Sequence, residues 1–206
     1  MIWIVRHTDT DWSAAHRHTG RTDVPLSAAG RDAASRLRPR LAGIDFAEVI
    51  CSPLRRARQT AELAGLVCTS ESADLEEWDY GDYEGLTTVE IREHRPDWDM
   101  WRDGTPGGED AAAVGARVDA VIAGVAGRSG VDAHGGGGHA GEDGDGSVGV
   151  GDREVALVAH GHVLRVLTSR WLGLPPADGA LFALEPGGIG RLSYERDRRV
   201  LWGWEC

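Results

Sequence analysis

The sequence contains no lysine, so all 22 of its basic residues are arginine, and acidic residues outnumber them with 33. The formal net charge is −11 at pH 7. Nucleic acids and anionic membrane surfaces are both held largely by basic side chains. We therefore predict that the protein has neither a nucleic acid nor a membrane as a partner.

Cysteine is scarce, and long apolar runs are missing. Cys51, Cys68 and Cys206 are odd in number and show no Cys-x-x-Cys spacing, which argues against a disulfide framework and against a structural zinc site. Cys51 lies in an apolar run and is predicted to be a small residue of the core. The apolar run Met1–Val5 is too short for a signal peptide or a membrane span. These features predict a cytoplasmic protein.

Apolar runs alternate along the chain with stretches of helical spacing. Three continuous runs are typical of strands covered on both faces, and three later runs extend the sheet. Between them, apolar or small residues recur every three or four positions, as on the buried face of a helix. We predict an α/β fold, namely a three-layer sandwich with a mostly parallel, mixed sheet and helices on both faces. The predicted strands are Ile2–Val5, Val49–Ser52, Val155–Ala159, Leu181–Leu184, Gly190–Tyr194 and Val200–Trp204, and the predicted helices span residues 26–41, 57–64, 114–125 and 163–171.

Two segments fall outside this alternation within the single domain predicted for residues 1–206. Residues 86–106 contain Trp98 and Trp101 together with three arginines, and are predicted to form a small cap over one end of the sheet. Residues 128–152 contain ten glycines and have no apolar period. Such a segment cannot bury enough surface to offset the entropy of ordering it. We predict a disordered surface loop there.

Basic and histidine side chains follow three of the predicted strands. Arg6 and His7 come directly after the first strand, Arg56 follows the second, and His160 comes directly after the third. Ligands of open α/β sheets bind beyond the carboxyl ends of the strands, and the helix that begins after His160 offers free backbone N–H groups to an anion. This arrangement predicts a phosphate site. Carboxylates beside aromatic rings at residues 76–80 supply a candidate proton donor.

Five short motifs occur in order along the chain. The first is Arg6-His7-Thr8-Asp9-Thr10-Asp11-Trp12-Ser13, and the others lie at residues 19–27, 52–61, 77–85 and 159–162. The first motif resembles the Arg-His-Gly-x-Thr-x-Trp-Asn signature of the histidine phosphatase superfamily, also called the phosphoglycerate mutase-like family, and the others resemble its further motifs. Residues 76–85, 101–104 and 108–109 are most similar to the sedoheptulose-1,7-bisphosphatase-like branch, and several bacterial acid phosphatases share such tracts.

The resemblance implies a set of catalytic residues. His7 would be the nucleophile that becomes a phosphohistidine, while Arg6, Arg56 and His160 would surround the phosphoryl oxygens and stabilise the transition state. Glu77 would protonate the leaving group and then activate water. No metal and no cofactor are implied, because the cationic side chains supply the electrostatic stabilisation. The residues implied to contact phosphate or substrate are Ser13, Thr19, Gly20, Tyr80 and Gly161.

The first motif departs from the family pattern at two positions. Thr8 stands where the family has glycine, and Ser13 stands where it has asparagine. Because glycine lets the backbone approach a ligand closely, Thr8 is expected to narrow the pocket or to displace a backbone N–H.

The resemblance implies a phosphomonoesterase that hydrolyses a small phosphorylated metabolite, such as a sugar phosphate. Two alternatives stay open. A mutase would transfer the phosphoryl group instead, although the predicted cap lacks lysines for a substrate carboxylate. An inactive phosphate-binding module would follow if Thr8 marks lost catalysis. The oligomeric state is open as well, since Trp202 and Trp204 on the last predicted strand suit either a helix or a second subunit.

Overall fold

The computed structural model describes residues 1–128 and 153–205. The predicted disordered loop at 128–152 therefore lies outside the described residues, apart from Arg128. The strands are β1 (Ile2–Arg6), β2 (Phe46–Cys51), β3 (Ser70–Glu71), β4 (Glu154–Ala159), β5 (Ile189–Glu195) and β6 (Arg198–Glu205). The helices are α1 (Asp11–Ala14), α2 (Ala28–Leu41), α3 (Arg55–Leu63), α4 (Thr88–His94), α5 (Met100–Asp103), α6 (Ala111–Arg128) and α7 (Gly161–Trp171).

The strands form one sheet in the order β3-β2-β4-β1-β5-β6. The first four strands of this order run parallel, whereas β5 is antiparallel to β1 and β6 is antiparallel to β5. The two central strands, β1 and β4, pair Ile4 with Leu157 and Val5 with Val158, and all four side chains are buried. Their continuous apolar runs thus arise from cover on both faces. The predicted mixed, mostly parallel sheet is confirmed.

Helices cover both faces of this sheet. Successive side chains of a strand point to opposite faces, so neighbouring residues of β1 pack against different helices. On one face, Val5 belongs to a buried cluster with residues of α2 and α3. On the other face, Ile4 belongs to a buried cluster with residues of α6 and α7. The three-layer sandwich is therefore confirmed. The buried helical residues include Leu37 and Leu41 of α2, Ala57 and Ala61 of α3, Val114 and Val118 of α6, and Val163 and Leu167 of α7.

The strand predicted at Leu181–Leu184 is wrong. A 3₁₀ helix at Pro176–Leu181 leads into extended chain without ladder pairing, and Leu181 is 74% exposed. Side chains use two carbonyl groups of this segment: the Trp204 indole N–H donates to Ala183, and the Arg6 guanidinium donates to Leu184. An apolar run alone does not distinguish such a segment from a strand.

Cys51 and Cys68 form a disulfide, so the prediction that cysteine spacing excludes one is wrong. Cys51 ends β2 and is buried, as predicted, while Cys68 lies just before β3. The parallel pairing of β3 with β2 brings the two Cα atoms to 6.0 Å although 17 positions separate them in sequence. Because spacing along the chain does not reveal this proximity, the bond could not be derived from the cysteine pattern. The disulfide closes a loop that contains α3.

Residues 86–106, the predicted cap, contain α4 and α5. Ile91, Trp98 and Met100 of this segment are buried in the same cluster as the cores of α6 and α7. The function of the segment as a cap stays a prediction. Within residues 1–128 and 153–205, no helix has the length and apolar character needed to cross a membrane.

Candidate active site

The carboxyl ends of β1, β2 and β4 bring together the residues predicted to surround a phosphate. His7 follows β1 and His160 follows β4, and their rings lie 5.1 Å apart between centroids. The His7 backbone N–H donates to the carbonyl of Ala159 at 2.9 Å, which extends the pairing of the two strands by one residue. Both imidazoles are buried. The topology thus places two histidines from distant parts of the chain at one edge of the sheet.

The tautomer of His7 is set by its own neighbour. Its Nδ1 lies 2.7 Å from the carbonyl oxygen of Thr8. Because a carbonyl only accepts, Nδ1 carries the proton and the neutral ring keeps a lone pair on Nε2. Burial, together with the positive charges of Arg56 and Arg6, lowers the pKa of His7 to about 3. His7 is therefore a neutral imidazole with a free nucleophilic nitrogen at physiological pH.

Arg6 and the beginning of α7 together form a site for an anion. Arg6 donates from Nη1 to the carbonyl of Leu184, but its buried Nε has no hydrogen-bond partner among the described residues. The guanidinium packs on Gly161, where an added Cβ would lie 3.1 Å from Nε, so glycine allows the close approach. The first N–H groups of a helix lack acceptors within the helix. Because Glu77 accepts the N–H groups of His162 and Val163, the orphaned Nε–H of Arg6 and the N–H of Gly161 are the donors suited to phosphate oxygens.

Arg56 is fully buried in the first turn of α3 and fixes the second histidine. Its Nε donates to His160 Nδ1 at 3.0 Å, so His160 Nε2 carries the proton and donates to Ser52 Oγ at 2.7 Å. Burial, with the charge of Arg56, lowers the pKa of His160 well below its ordinary range. The remaining contacts of Arg56 are to backbone carbonyls, those of Thr19, Gly20 and Thr22. Arg56 therefore joins the loop after α1 to the pocket.

That loop contains Thr19 and Gly20, two of the residues implied to contact substrate, and a third, Ser13, lies just before it in α1. Gly20 donates its N–H to both carboxylate oxygens of Glu84, and an added Cβ would lie 2.5 Å from the Trp78 carbonyl oxygen, so only glycine fits there. Thr19 donates its hydroxyl to the carbonyl of Arg17, and Ser13 uses its hydroxyl in the capping box of α1. Contact of Ser13, Thr19 and Gly20 with substrate stays a prediction.

Glu77 is buried and held by backbone N–H groups. Its Oε1 accepts from Trp78 and Val163, each at 2.9 Å, and its Oε2 accepts from His162 at 3.0 Å. Two of these donors belong to the first turn of α7, where the helix dipole favours a negative charge. Burial raises the pKa of Glu77, but the hydrogen bond and charge of His162, the charge of His160 and the Trp78 N–H outweigh burial and hold it well below the ordinary range. Without a ligand, Glu77 is a carboxylate.

A hydrogen-bonded pair beside Glu77 is formed by Tyr80, which is buried, and His162, whose side chain is 25% exposed. The Tyr80 hydroxyl lies 2.6 Å from His162 Nδ1, and that nitrogen lies 3.8 Å from Glu77 Oε2. Burial and the charge of Glu77 raise the pKa of Tyr80 well above its ordinary value, so the phenol keeps its proton and donates to Nδ1. Sequence analysis assigned no role to His162. The signal was its position two residues after His160, in the first turn of a helix that follows a buried strand.

Aromatic side chains surround this pair. The His18 ring lies 4.7 Å from Tyr80 and 5.7 Å from Trp98, and the Trp101 ring lies 5.4 Å from His162, all between centroids. Burial, together with the charge of His162, lowers the pKa of His18 to about 4. The side of the site next to Glu77 is thus lined by aromatic rings, and the Arg165 guanidinium lies over one of them, 4.6 Å from the centroid of Trp101.

Thr8 does not narrow the pocket in the way expected. Its side chain is directed between α2 and α3, where Oγ1 donates to the carbonyl of Gly30 at 2.8 Å, and its N–H donates to Thr60 Oγ1 at 3.2 Å. Positive φ among the described non-glycine residues occurs at His16 and Arg196, so the backbone at Thr8 does not need glycine. The departure from the family motif is therefore accommodated away from His7.

Known proteins are similar to this chain in fold and sequence over nearly its whole length. A model of the histidine phosphatase superfamily (branch 1) matches residues 2–136 and 148–206. An acid phosphatase of Mycobacterium tuberculosis is 40% identical over 97% of this chain and 89% of its own, and sedoheptulose 1,7-bisphosphatase of Saccharomyces cerevisiae is 29% identical over 93% and 86%. A mycobacterial glucosyl-3-phosphoglycerate phosphatase superposes with a TM-score of 0.77 at 28% identity, over 99% of this chain and 97% of its own. The chain belongs to the histidine phosphatase superfamily.

Proposed function

We propose that the protein is a phosphomonoesterase that hydrolyses a small phosphorylated metabolite, such as a sugar phosphate, through a phosphohistidine at His7. One observation carries the proposal. A buried, neutral His7 with a free Nε2 directly follows Arg6, whose orphaned Nε–H packs on Gly161 at the beginning of α7. A nucleophile and an anion site are thus combined. Phosphatases among the relatives support the same reaction.

The reaction proceeds in two displacements at phosphorus. His7 Nε2 attacks, the bond from phosphorus to the leaving oxygen breaks, and Glu77 passes to that oxygen a proton that it takes from the substrate monoanion. Glu77, again a carboxylate, then takes a proton from water as the water oxygen attacks the phosphohistidine, and the N–P bond breaks to release inorganic phosphate. The charges of Arg6 and Arg56 stabilise the phosphoryl oxygens in both transition states.

The protonation state of Glu77 selects the ionic form of the substrate. Because Glu77 is a carboxylate before binding, the proton for the leaving group has to arrive with the substrate. A phosphomonoester carries that proton as its monoanion, which predominates below a pKa of about 6. We therefore expect kcat/KM to increase toward acidic pH.

Two other functions are compatible with this fold and would give different experimental results. A probable phosphoglycerate mutase of Salmonella is 28% identical over 99% of this chain, so phosphoryl transfer is the second candidate. An inactive phosphate-binding module is less well supported, because Thr8 is directed away from His7.

The test is a screen of sugar phosphates, sugar bisphosphates and phosphoglycerates at pH 5 to 8, with the exposed His94→Ala as the matched control for His7→Ala. We expect free phosphate and an acid-labile phosphoprotein from the native protein and from His94→Ala, and neither from His7→Ala. A phospho-isomer without free phosphate would indicate a mutase. Vanadate binding without turnover of any substrate would indicate a binding module.

The partner that we propose is a small phosphorylated substrate. A cytoplasmic location also stays a proposal, and the Cys51–Cys68 bond counts against its premise, because disulfides are rare in reducing compartments. Blocking free thiols at lysis, followed by reduction and labelling of both cysteines, shows whether the bond exists in the cell.

A further inference from the structure

Arg117, on α6, binds the backbone of the segment that contains Glu77. Its Nη1 donates to the carbonyls of Asp74 and Glu76, at 2.8 and 2.7 Å, and its Nη2 donates to the carbonyl of Glu77 at 3.2 Å. Its Nε and Nη2 also donate to the two carboxylate oxygens of Glu109, at 2.9 and 3.0 Å. These contacts use all five N–H groups of the guanidinium. A side chain with no remaining donor is committed to one geometry.

Glu109 continues the same network to the far side of Glu77. Its Oε2 accepts from the Asp79 N–H at 2.9 Å, and its backbone carbonyl accepts from the Trp78 indole at 2.9 Å. The side chains of Arg117 and Glu109 are only 15% and 18% exposed. Residues 76–79 belong to no helix or strand, so their backbone groups require such partners.

We propose that the Arg117–Glu109 pair is a positioning device that holds the Glu77 carboxylate at the leaving-group side of the phosphoryl site. The inference rests on the phosphomonoesterase function proposed above. Neither side chain contacts His7 or Arg6 in the described contacts, so the pair acts through the backbone of residues 74–79. Misplacement of a catalytic group by about 1 Å can cost on the order of 10²-fold in rate.

The device predicts a specific kinetic signature. The leaving group of an alkyl phosphate needs a proton on its oxygen. The leaving group of p-nitrophenyl phosphate is p-nitrophenolate, which is stable without a proton. In Arg117→Met, kcat/KM for glycerol 2-phosphate should therefore fall by about 10²-fold, while kcat/KM for p-nitrophenyl phosphate should change by less than about fivefold, because attack by His7 does not need Glu77. Slow activation of water should also produce a burst of p-nitrophenol as phosphoenzyme accumulates.

Arg170→Met is the matched control. Arg170 also joins α6, through a two-contact ion pair with Asp119 at 2.9 Å for each contact, but it lies at the far end of α7 from Glu77. Its removal should leave the ratio of the two kcat/KM values unchanged. Arg117→Lys keeps a charge beside Glu109 but cannot supply five donors in a plane, so it should shift the ratio in the same direction by a smaller factor.

The outcomes separate the inference from the proposed function. If the native protein forms no phosphohistidine at His7, the proposed function fails first. If the native protein is active and Arg117→Met lowers kcat/KM by the same factor for both substrates, or leaves both values unchanged, the positioning device is refuted. Should Arg117→Met not fold, the ratio measured for Arg117→Lys and for Glu109→Gln decides: a selective loss on glycerol 2-phosphate supports the device, and an unchanged ratio overturns it.

Discussion

Glu77→Gln removes a buried charge at almost constant volume, so its effects follow from hydrogen bonding and charge alone. The carboxylate accepts three backbone N–H groups, from Trp78 and Val163 on one oxygen and from His162 on the other. An amide has one accepting oxygen, and its NH₂ group then faces an N–H donor. A buried donor left without an acceptor costs about 1–3 kcal/mol. We expect a loss of that size in the free energy of unfolding at pH 7, and a melting temperature lower by about 2–4 °C per kcal/mol.

The loss should depend on pH in one direction. The pKa of Glu77 in the folded protein lies well below its ordinary value of 4.5. A depressed pKa contributes stability that is fully present above the unfolded value and decreases as pH falls toward the folded value. The difference in unfolding free energy between the native protein and Glu77→Gln should therefore stay constant from pH 8 to 5 and shrink below about pH 4.5. The charge of Glu77 raises the pKa of His7, so the contribution of His7 cancels in the difference only above its folded pKa of about 3.

Urea unfolding of both proteins between pH 3.5 and 8 measures this difference directly. Glu76→Gln is the matched neighbour, because no hydrogen bond of its side chain is among the described contacts of the site, and it should show no such pH dependence. In the same samples, kcat for a sugar phosphate should fall by about 10²–10⁴-fold in Glu77→Gln. Equal stability of Glu77→Gln and the native protein at pH 7, or a difference as large at pH 3.5 as at pH 7, would refute the reasoning.

Three further predictions concern His7, the disulfide and Thr8. Because the pKa of His7 is lowered to about 3, kcat/KM should show no loss from protonation of the nucleophile between pH 5 and 7. A decrease of kcat/KM below about pH 6.5 that does not come from protonation of His160 would contradict this. Replacing Cys51 and Cys68 with serine should reduce the unfolding free energy by about 3 kcal/mol with kcat unchanged, as measured by urea unfolding with and without reductant. Thr8→Val should cost about 0.5–1.5 kcal/mol, because the Gly30 carbonyl keeps its donor within α2 but loses the Thr8 hydroxyl, and a large drop in kcat would show that Thr8 acts at the pocket after all.

The sheet was predictable because its central strands are covered on both faces. Continuous apolar runs identify β1 and β4 to within one residue, and the alternation with helical patterns then fixes the layers. The start of β2 was missed by three residues, since Phe46–Glu48 includes a polar residue at a point where the register with β4 shifts. The apolar pattern of a sequence indicates which residues are buried, so it cannot identify the part of a strand that is not buried.

The histidines of the site were predictable for a related reason. Parallel strands end at the same edge of a sheet, so residues that directly follow β1 and β4 have to meet. No such rule locates the partners of a buried arginine. Three of the four acceptors of Arg56 and three of the five contacts of Arg117 are backbone carbonyls, and any residue type can supply a carbonyl. The disulfide was missed for the same reason, because it depends on a proximity that only the folded chain creates.

The charges at the pocket explain why an acidic protein can bind phosphate and why it should prefer a protonated one. Arg6 and Arg56 are cationic, His7 and His160 are neutral because these arginines and burial lower their pKa values, and Glu77 is anionic. These five groups together carry one net positive charge, whereas the −11 of the whole chain acts from distances at which salt screens most of it. A monoanion neutralises that charge and brings the proton that Glu77 lacks. A dianion leaves an excess negative charge beside Glu77 and brings no proton for the leaving group. The electrostatics that keep His7 nucleophilic are thus the same electrostatics that require the substrate to supply the proton for its own leaving group.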